Sequence, residues 1–271
     1  MNWFDMLVGL VILHATMATV AVAAGLLSCR ERVKRMALGL LSAVLLMQST
    51  LVIAELARYW GGPVPRAVYL EGLAWLLAVT CFVVWRRKRL QGVVILLAPF
   101  TLVTALAAML VDGQAAPPQA VSKFFTIHIV CMFPALACMA LACGAGILFM
   151  VQERGLKTKQ PMTGFRRAMP ALSSLDTVNA VTTMAGFPLY SLGILFGLVS
   201  ARMTWGTLFS GDPKELVSLA VWGLYAFLFH QRLAKGWRGR KPAELSLAIF
   251  VVAVFSLFVV NTFMNTHHSF F

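Results

Sequence analysis

Eight stretches of this chain are apolar almost throughout, and short polar segments of two alternating kinds cut them apart. They lie near 4–28, 37–57, 67–85, 91–111, 125–151, 178–201, 215–233 and 244–264. Each is continuously apolar rather than alternating, which predicts helices and not the strands of a barrel. Most reach about 20 residues, the helix length that crosses a ~30 Å hydrocarbon layer. The pattern therefore predicts an all-α fold, a polytopic membrane helix bundle of about eight transmembrane helices. Residues 1–271 are expected to form a single integral membrane domain in the lipid bilayer.

Composition agrees. The 271 residues are 60% hydrophobic and 12% charged, with a mean hydropathy of +0.82. A water-soluble domain carries roughly twice that charged share. The formal net charge of +13 would suit nucleic acid, but its distribution does not. "CRERVKR", "WRRKR", "QERGLKTKQPMTGFRR" and "RLAKGWRGRK" hold all the Lys and Arg except Arg58, Arg66, Lys123, Arg202 and Lys214. Alternate connections are thus basic, as in loops beside an anionic cytoplasmic leaflet, so a nucleic-acid partner is not expected. The same rule places both termini on the outer face. "MNWFDMLVGL" has no basic n-region, so the first span is expected to be retained. The five cysteines include no CxxC pair and read as small buried hydrophobes.

This threading gathers chemistry on the outer side. His128 opens the fifth span, the hinge "WGTLFSGDPKE" runs from Trp205 to Glu215, and the tail "MNTHHSFF" carries His267 and His268. Neutral imidazole ligates haem iron and also suits zinc or copper. A six-coordinate haem wants two histidines and apolar or aromatic cover, which His128, His268, Trp205 and Phe209 can provide. Zinc would want three or four ligands, and the outer loops add only Asp212 and Glu215. Histidines resting at a membrane interface with no ligand are the plain alternative. His14 and His230 lie within apolar runs, where an ionisable side chain is costly enough to suggest a role. At 1.5 Å per residue, His230 is roughly 24 Å along its helix from Lys214, and His14 roughly 16 Å from Trp3. Snorkelling to the interface for His230, and a hydrogen-bonded core position for His14, are the alternatives.

Other signals are weaker. Gly193 and Gly197 form a GxxxG, which permits close helix packing. "GWRGRK" reads as a topological anchor. No nucleophile–base pair, phosphate-binding glycine loop or catalytic carboxylate pair is evident.

The second half resembles the CcsA/HemX/CcmC-type family of cytochrome c assembly proteins. "WGTLFSGDPKE" is similar to that family's Trp-rich outer loop. "YAFLFHQRL", "GWRGRK" and "HHSFF" follow it in the family's order, and "IHIV", "QERGLK" and "GFPLYSLGILFG" precede it. The resemblance covers roughly 125–271. It implies that His128 and His268 ligate haem at the outer loop, and that His230 ligates a second haem within the membrane. In this family the partner ligand of the membrane histidine lies in an associated or fused CcsB-like segment, so His14 remains a candidate haem-binding residue to which the resemblance assigns no partner. The chain departs from the family at Phe209 and Gly211, where two further Trp are usual.

What the resemblance implies is a haem-binding protein of cytochrome c biogenesis, integral to the plasma (inner) membrane, with His128 and His268 facing the outer or periplasmic side. It would carry one or two haem b groups and work with a CcsB-like membrane protein and apocytochrome c. It would stand within a haem lyase or synthase assembly, with no catalytic residue of its own evident. Trp205 and Phe209 would pack on the ring, Lys214 would meet a propionate, and Asp212 with Pro213 would end the loop and start the next helix. A HemX-like regulator of haem synthesis, a haem-bearing electron-transfer subunit and a small-molecule transporter are the competing expectations.

Overall fold

Apolar runs of this length can satisfy their backbone only as helices once water is gone, and helices are what form. The computed structural model describes residues 3–60, 62, 64–110, 123–159, 161, 166, 169–209 and 213–257; of 3–7, Arg66 and Trp205 only the backbone is described. Eight α-helices lie within them. They are α1 (Trp3–Ser28), α2 (Glu31–Arg58), α3 (Arg66–Arg86), α4 (Val94–Leu110), α5 (Lys123–Lys157), α6 (Leu172–Trp205), α7 (Pro213–Lys235) and α8 (Arg240–Phe255). Seven are long and apolar enough to cross a membrane. The eighth, α8, is described over 16 residues, and the rest of the expected 244–264 span lies outside the described residues.

The chain divides into two compact units, Met1–Ala115 with Gln152–Ser174, and Ala116–Val151 with Leu175–Phe271. In the first, α1 packs on α2 and α4, α2 on α3, and α3 on α4, closing a four-helix ring. Val22, Leu26, Leu73, Leu77, Trp85, Val93 and Leu97 are buried within it. The indole of Trp75 donates to Ser49 Oγ at 2.9 Å, tying α3 to α2. The outward faces are apolar as well: Leu46, Ile53 and Leu13 are more than half exposed. In water that would be an aggregation surface; in hydrocarbon it is the expected exterior.

The second unit is built on a buried polar network as well as on packing. Ala135, Met139, Tyr190, Val221, Tyr225, Leu228 and Ile249 form its apolar core. Beside the core lies Arg232, whose side chain is 3% exposed. Sequence patterning counted it with a basic loop; it is instead the last turn of α7, turned inward. Its Nη1 donates to Asp176 Oδ1 at 2.9 Å and to the Trp237 carbonyl at 3.0 Å, and its Nη2 donates to Asn179 Oδ1 at 2.6 Å. Asn179 Nδ2 in turn donates to the Ala142 carbonyl and to Ser246 Oγ, each at 2.8 Å. The same Asp176 oxygen accepts the Gly239 amide at 2.9 Å. Gly239 holds φ at +77°, a conformation that glycine adopts without steric cost. The "GWRG" segment is therefore held by hydrogen bonds rather than simply resting in the interfacial layer.

Removing one partner of a buried ion pair strands the other charge, at about 3–5 kcal/mol. Arg232→Ala should lower the unfolding free energy in detergent by about 3 kcal/mol, read by thermal or denaturant unfolding; Arg238→Ala, in the segment that follows α7, serves as the comparison. The charge alternation further predicts that a reporter active only in the cytoplasm stays silent at either terminus and is active when inserted after Lys159.

Candidate functional site

Where α5 begins, α6 ends and α7 begins, the second unit opens a cleft of about 150 Å³. It lies about 21 Å along the helices from the Arg232 network, measured at 1.5 Å per residue from Ala142 back to His128 or from Arg232 back to Ser218. Phe125, Met132, Ile194, Leu198, Ala201, Phe209 and Leu219 make most of its wall. His128, Ser200, Lys214, Glu215 and Ser218 are its polar lining. The sequence explains the convergence. Pro213 is the first residue of α7, where its fixed φ and missing N–H suit a helix start. That start returns Lys214, Glu215 and Ser218 to the end of α6.

His128 is oriented by backbone. Its Nδ1 lies 2.6 Å from the Gly193 carbonyl oxygen. A carbonyl only accepts, so Nδ1 carries the ring proton and the lone pair of the neutral imidazole sits on Nε2. The ring also rests against Gly197: a Cβ added there would come within 2.8 Å of His128 Nδ1. Phe125 stacks on the imidazole with ring centroids 6.0 Å apart. Thus the Gly193–Gly197 spacing, which reads as a packing motif in the sequence, accommodates a histidine. His128 and Met132 on α5 face Gly197 and Gly193 on α6 as antiparallel partners.

Of the residues singled out from sequence, the cleft brings together His128, Phe209 and Lys214. Phe209 is 48% exposed, covering one side. Trp205 closes α6. Asp212, Gly211, His267 and His268 lie outside the described residues. His230 stands on an exposed position of α7, near the Arg232 end and roughly 24 Å along that helix from Lys214. His14 belongs to the first unit, where its Nδ1 donates to the Leu10 carbonyl of its own helix at 2.9 Å. Among the described residues, no three His, Cys, Asp or Glu side chains come together as metal ligands. Sequence reasoning missed Phe125 and Met132, and missed the role of the Gly193 carbonyl. The signal was there: "FFTIHIVCM" sets aromatic, imidazole and thioether side chains at helical spacing, opposite a GxxxG.

The architecture and cleft define a polytopic α-helical membrane protein with an oriented imidazole in a largely apolar pocket. The sequence matches the family described as "Cytochrome C assembly protein" over residues 7–268, and the chain belongs to that family. It is similar to the cytochrome c biogenesis protein CcsA of Microcystis aeruginosa, 30% identical over 233 residues that cover 68% of this chain and 70% of that protein. It is 32% identical over 160 residues to the CcsA of Chlamydomonas reinhardtii, covering 58% of this chain but only 44% of that one. Its fold is similar to that of the solved cytochrome c heme lyase CcmF, with a TM-score of 0.67 at 14% identity, over 93% of this chain and 46% of the other. At that identity the likeness is one of fold.

The fit of His128 against Gly197 generates a test. Gly197→Ala places a methyl where the imidazole lies, and overpacking of this kind costs about 1–3 kcal/mol. Gly223→Ala, where nothing lies within 4 Å, should be neutral or stabilising by up to about 1 kcal/mol through helix propensity. Thermal unfolding of the two variants side by side reads the difference.

Proposed function

We propose that this chain is a haem-binding membrane protein of cytochrome c biogenesis. In this reading it holds haem b at the His128 cleft, on the outer face of the plasma (inner) membrane, and presents it to apocytochrome c. The observation that carries the proposal is the Nδ1 hydrogen bond from His128 to the Gly193 carbonyl. It fixes the tautomer whose Nε2 would ligate iron, and it makes that nitrogen more basic. The rest of the donor set fits the same group. The wall is apolar and aromatic, Lys214 is a cation at the rim for a propionate, and one imidazole with no metal-binding trio among the described residues suits haem better than zinc.

His268 is the proposed second histidine that would hold the haem, by the family resemblance of the tail. His230 is proposed to ligate a further haem within the membrane, its partner ligand supplied by a CcsB-like protein. Its exposed position on α7 supports a ligand completed from outside the described residues. Trp205 and Asp212 are proposed to border the outer site. The distance of the cleft from the basic "GWRGRK" end supports an outward-facing site. We take the whole chain, 1–271, as one integral membrane domain. Attachment itself would be chemistry of the haem vinyl groups and the apocytochrome thiols; this chain would ligate, orient and tune.

The protein purified from haem-replete cells should show a low-spin haem spectrum. His128→Ala should abolish or shift it, and added imidazole should partly restore it. A colourless parent protein would refute the proposal, and a spectrum indifferent to His128→Ala would remove the cleft from it. Phe209→Trp enlarges the aromatic shelf and should slow haem loss about tenfold, equivalent to ~1.4 kcal/mol, measured by transfer to apomyoglobin.

A further inference from the structure

The first unit contains a second polar site, unrelated to the His128 cleft. Gln48 on α2 is 3% exposed, and it lines a small cavity with Glu71 of α3. The remaining wall is apolar and comes from α1, α2, α3 and α4, through residues such as Val11, Leu51, Ala74 and Ala105. Gln48 Oε1 and Glu71 Oε2 are both buried, and neither has a hydrogen-bond partner among the described residues. The two oxygens thus face one apolar cavity; turning the Gln48 amide over would offer Glu71 an N–H but would leave the buried carboxylate charge without a cation among the lining residues. A group of this kind is costly in water-free surroundings, at several kcal/mol for an unpaired charge. Glu55, one turn short of the end of α2, is 4% exposed and lies within electrostatic reach of Glu71. Gln48 and Glu55, seven residues apart, share one helix face.

We propose that Glu71 is a proton-binding site within the membrane domain, held as the neutral acid with Gln48 as its acceptor. One proton taken from water onto Glu71 Oε2 turns an acceptor into a donor. The new O–H can then donate to Gln48 Oε1, directly or through one water. Both orphaned atoms are satisfied together, and no net charge is left on Glu71. The cavity measures about 10 Å³, room for about one water. A bare divalent cation would want about six oxygens at short range, and the cavity offers two polar side chains, so a proton is the ligand that fits.

The charged surroundings are sparse. On α2, Arg58 follows Glu55 by one turn and is exposed. α4 carries no ionisable side chain over Val94–Leu110. On α1, His14 donates to its own helix and lies off the Val8–Val11–Ile12 face that lines the cavity; Asp5 lies in the first turn. On α3, Arg66 lies in the first turn and Cys81 bonds Thr101 at 3.6 Å, farther along.

Infrared difference spectra of the full chain in nanodiscs, recorded across a pH titration, test this. The parent should show a protonated-carboxyl C=O band that persists at neutral pH and shifts on deuteration. Glu71→Gln should remove that band, and Gln48→Leu should move it to higher frequency by taking away the acceptor. Since Gln mimics the neutral acid, Glu71→Gln should also keep its melting temperature at alkaline pH, where the parent loses some. Absence of the band at neutral pH, or its survival in Glu71→Gln, overturns the proposal. So does a melting temperature that rises with sodium but not with choline and loses this response in Glu71→Gln, which would make the ligand a cation. If Glu71→Gln does not accumulate, the Gln48→Leu band alone decides: an unmoved band overturns the assignment.

Discussion

A guanidinium cannot shed its proton to escape an apolar interior, so Arg232 must be met by acceptors wherever the fold puts it. That requirement organises the second unit. Asp176 and Asn179 on α6 and the Trp237 carbonyl after α7 receive its N–H groups. Asn179 passes the connection to α5 through the Ala142 carbonyl and to α8 through Ser246. Four helices therefore share one polar junction with defined register. Slipping any of them by a turn, about 5.4 Å, would leave a buried donor or acceptor unpaired. Apolar packing alone tolerates such slips, because lipid tails and leucine side chains offer similar surroundings.

Register set at one end of a packed helix pair is register delivered to the other, here through helices that each carry an internal proline, Pro134 and Pro188. α5 and α6 run antiparallel from the Ala142–Asn179 contact to the His128–Gly193 contact. Small residues let the backbones approach closely enough for this: Gly146 would clash with Ala243 and Ser246 if it carried a Cβ, as Gly197 would with His128. Pairing of small residues with polar ones is a general means of fixing helices in membranes. Here it leaves an imidazole fixed by a backbone carbonyl, which cannot rotate away as a side-chain partner could.

Periodicity and charge made the helices legible in the sequence, along with the helix start at Pro213. Those features depend on runs of residues or on a local motif. The polar interior was much less legible. Asp176 and Asn179 sit at the edge of an apolar run and lower its hydropathy only slightly, while Arg232 was indistinguishable from the basic residues that follow it. Gln48, Glu55 and Glu71 are isolated within spans, and nothing local says that two of them meet across α2 and α3. The orienting partner of His128 was invisible for a different reason. Every residue has a carbonyl, and only the antiparallel fit of α5 on α6 selects that of Gly193. The family motif supplied Phe209 and Lys214, and both reach the cleft.

What separates scaffold from site in this chain is whether polar groups face complements or face one another. Around Arg232, cation meets carboxylate, amide donor meets carbonyl, and a backbone N–H meets the same carboxylate. Such a cluster stabilises itself, although Arg232 Nε is buried with no hydrogen-bond partner among the described residues. At His128 one ring nitrogen is committed to the Gly193 carbonyl, which fixes the tautomer and the orientation of the ring in a largely apolar cleft. At Gln48 and Glu71 a carboxylate oxygen and an amide oxygen are buried without partners in an apolar cavity that has no cation among its lining residues. Burial makes an uncompensated carboxylate expensive in proportion to the water it excludes, and a proton removes that charge without bringing in another.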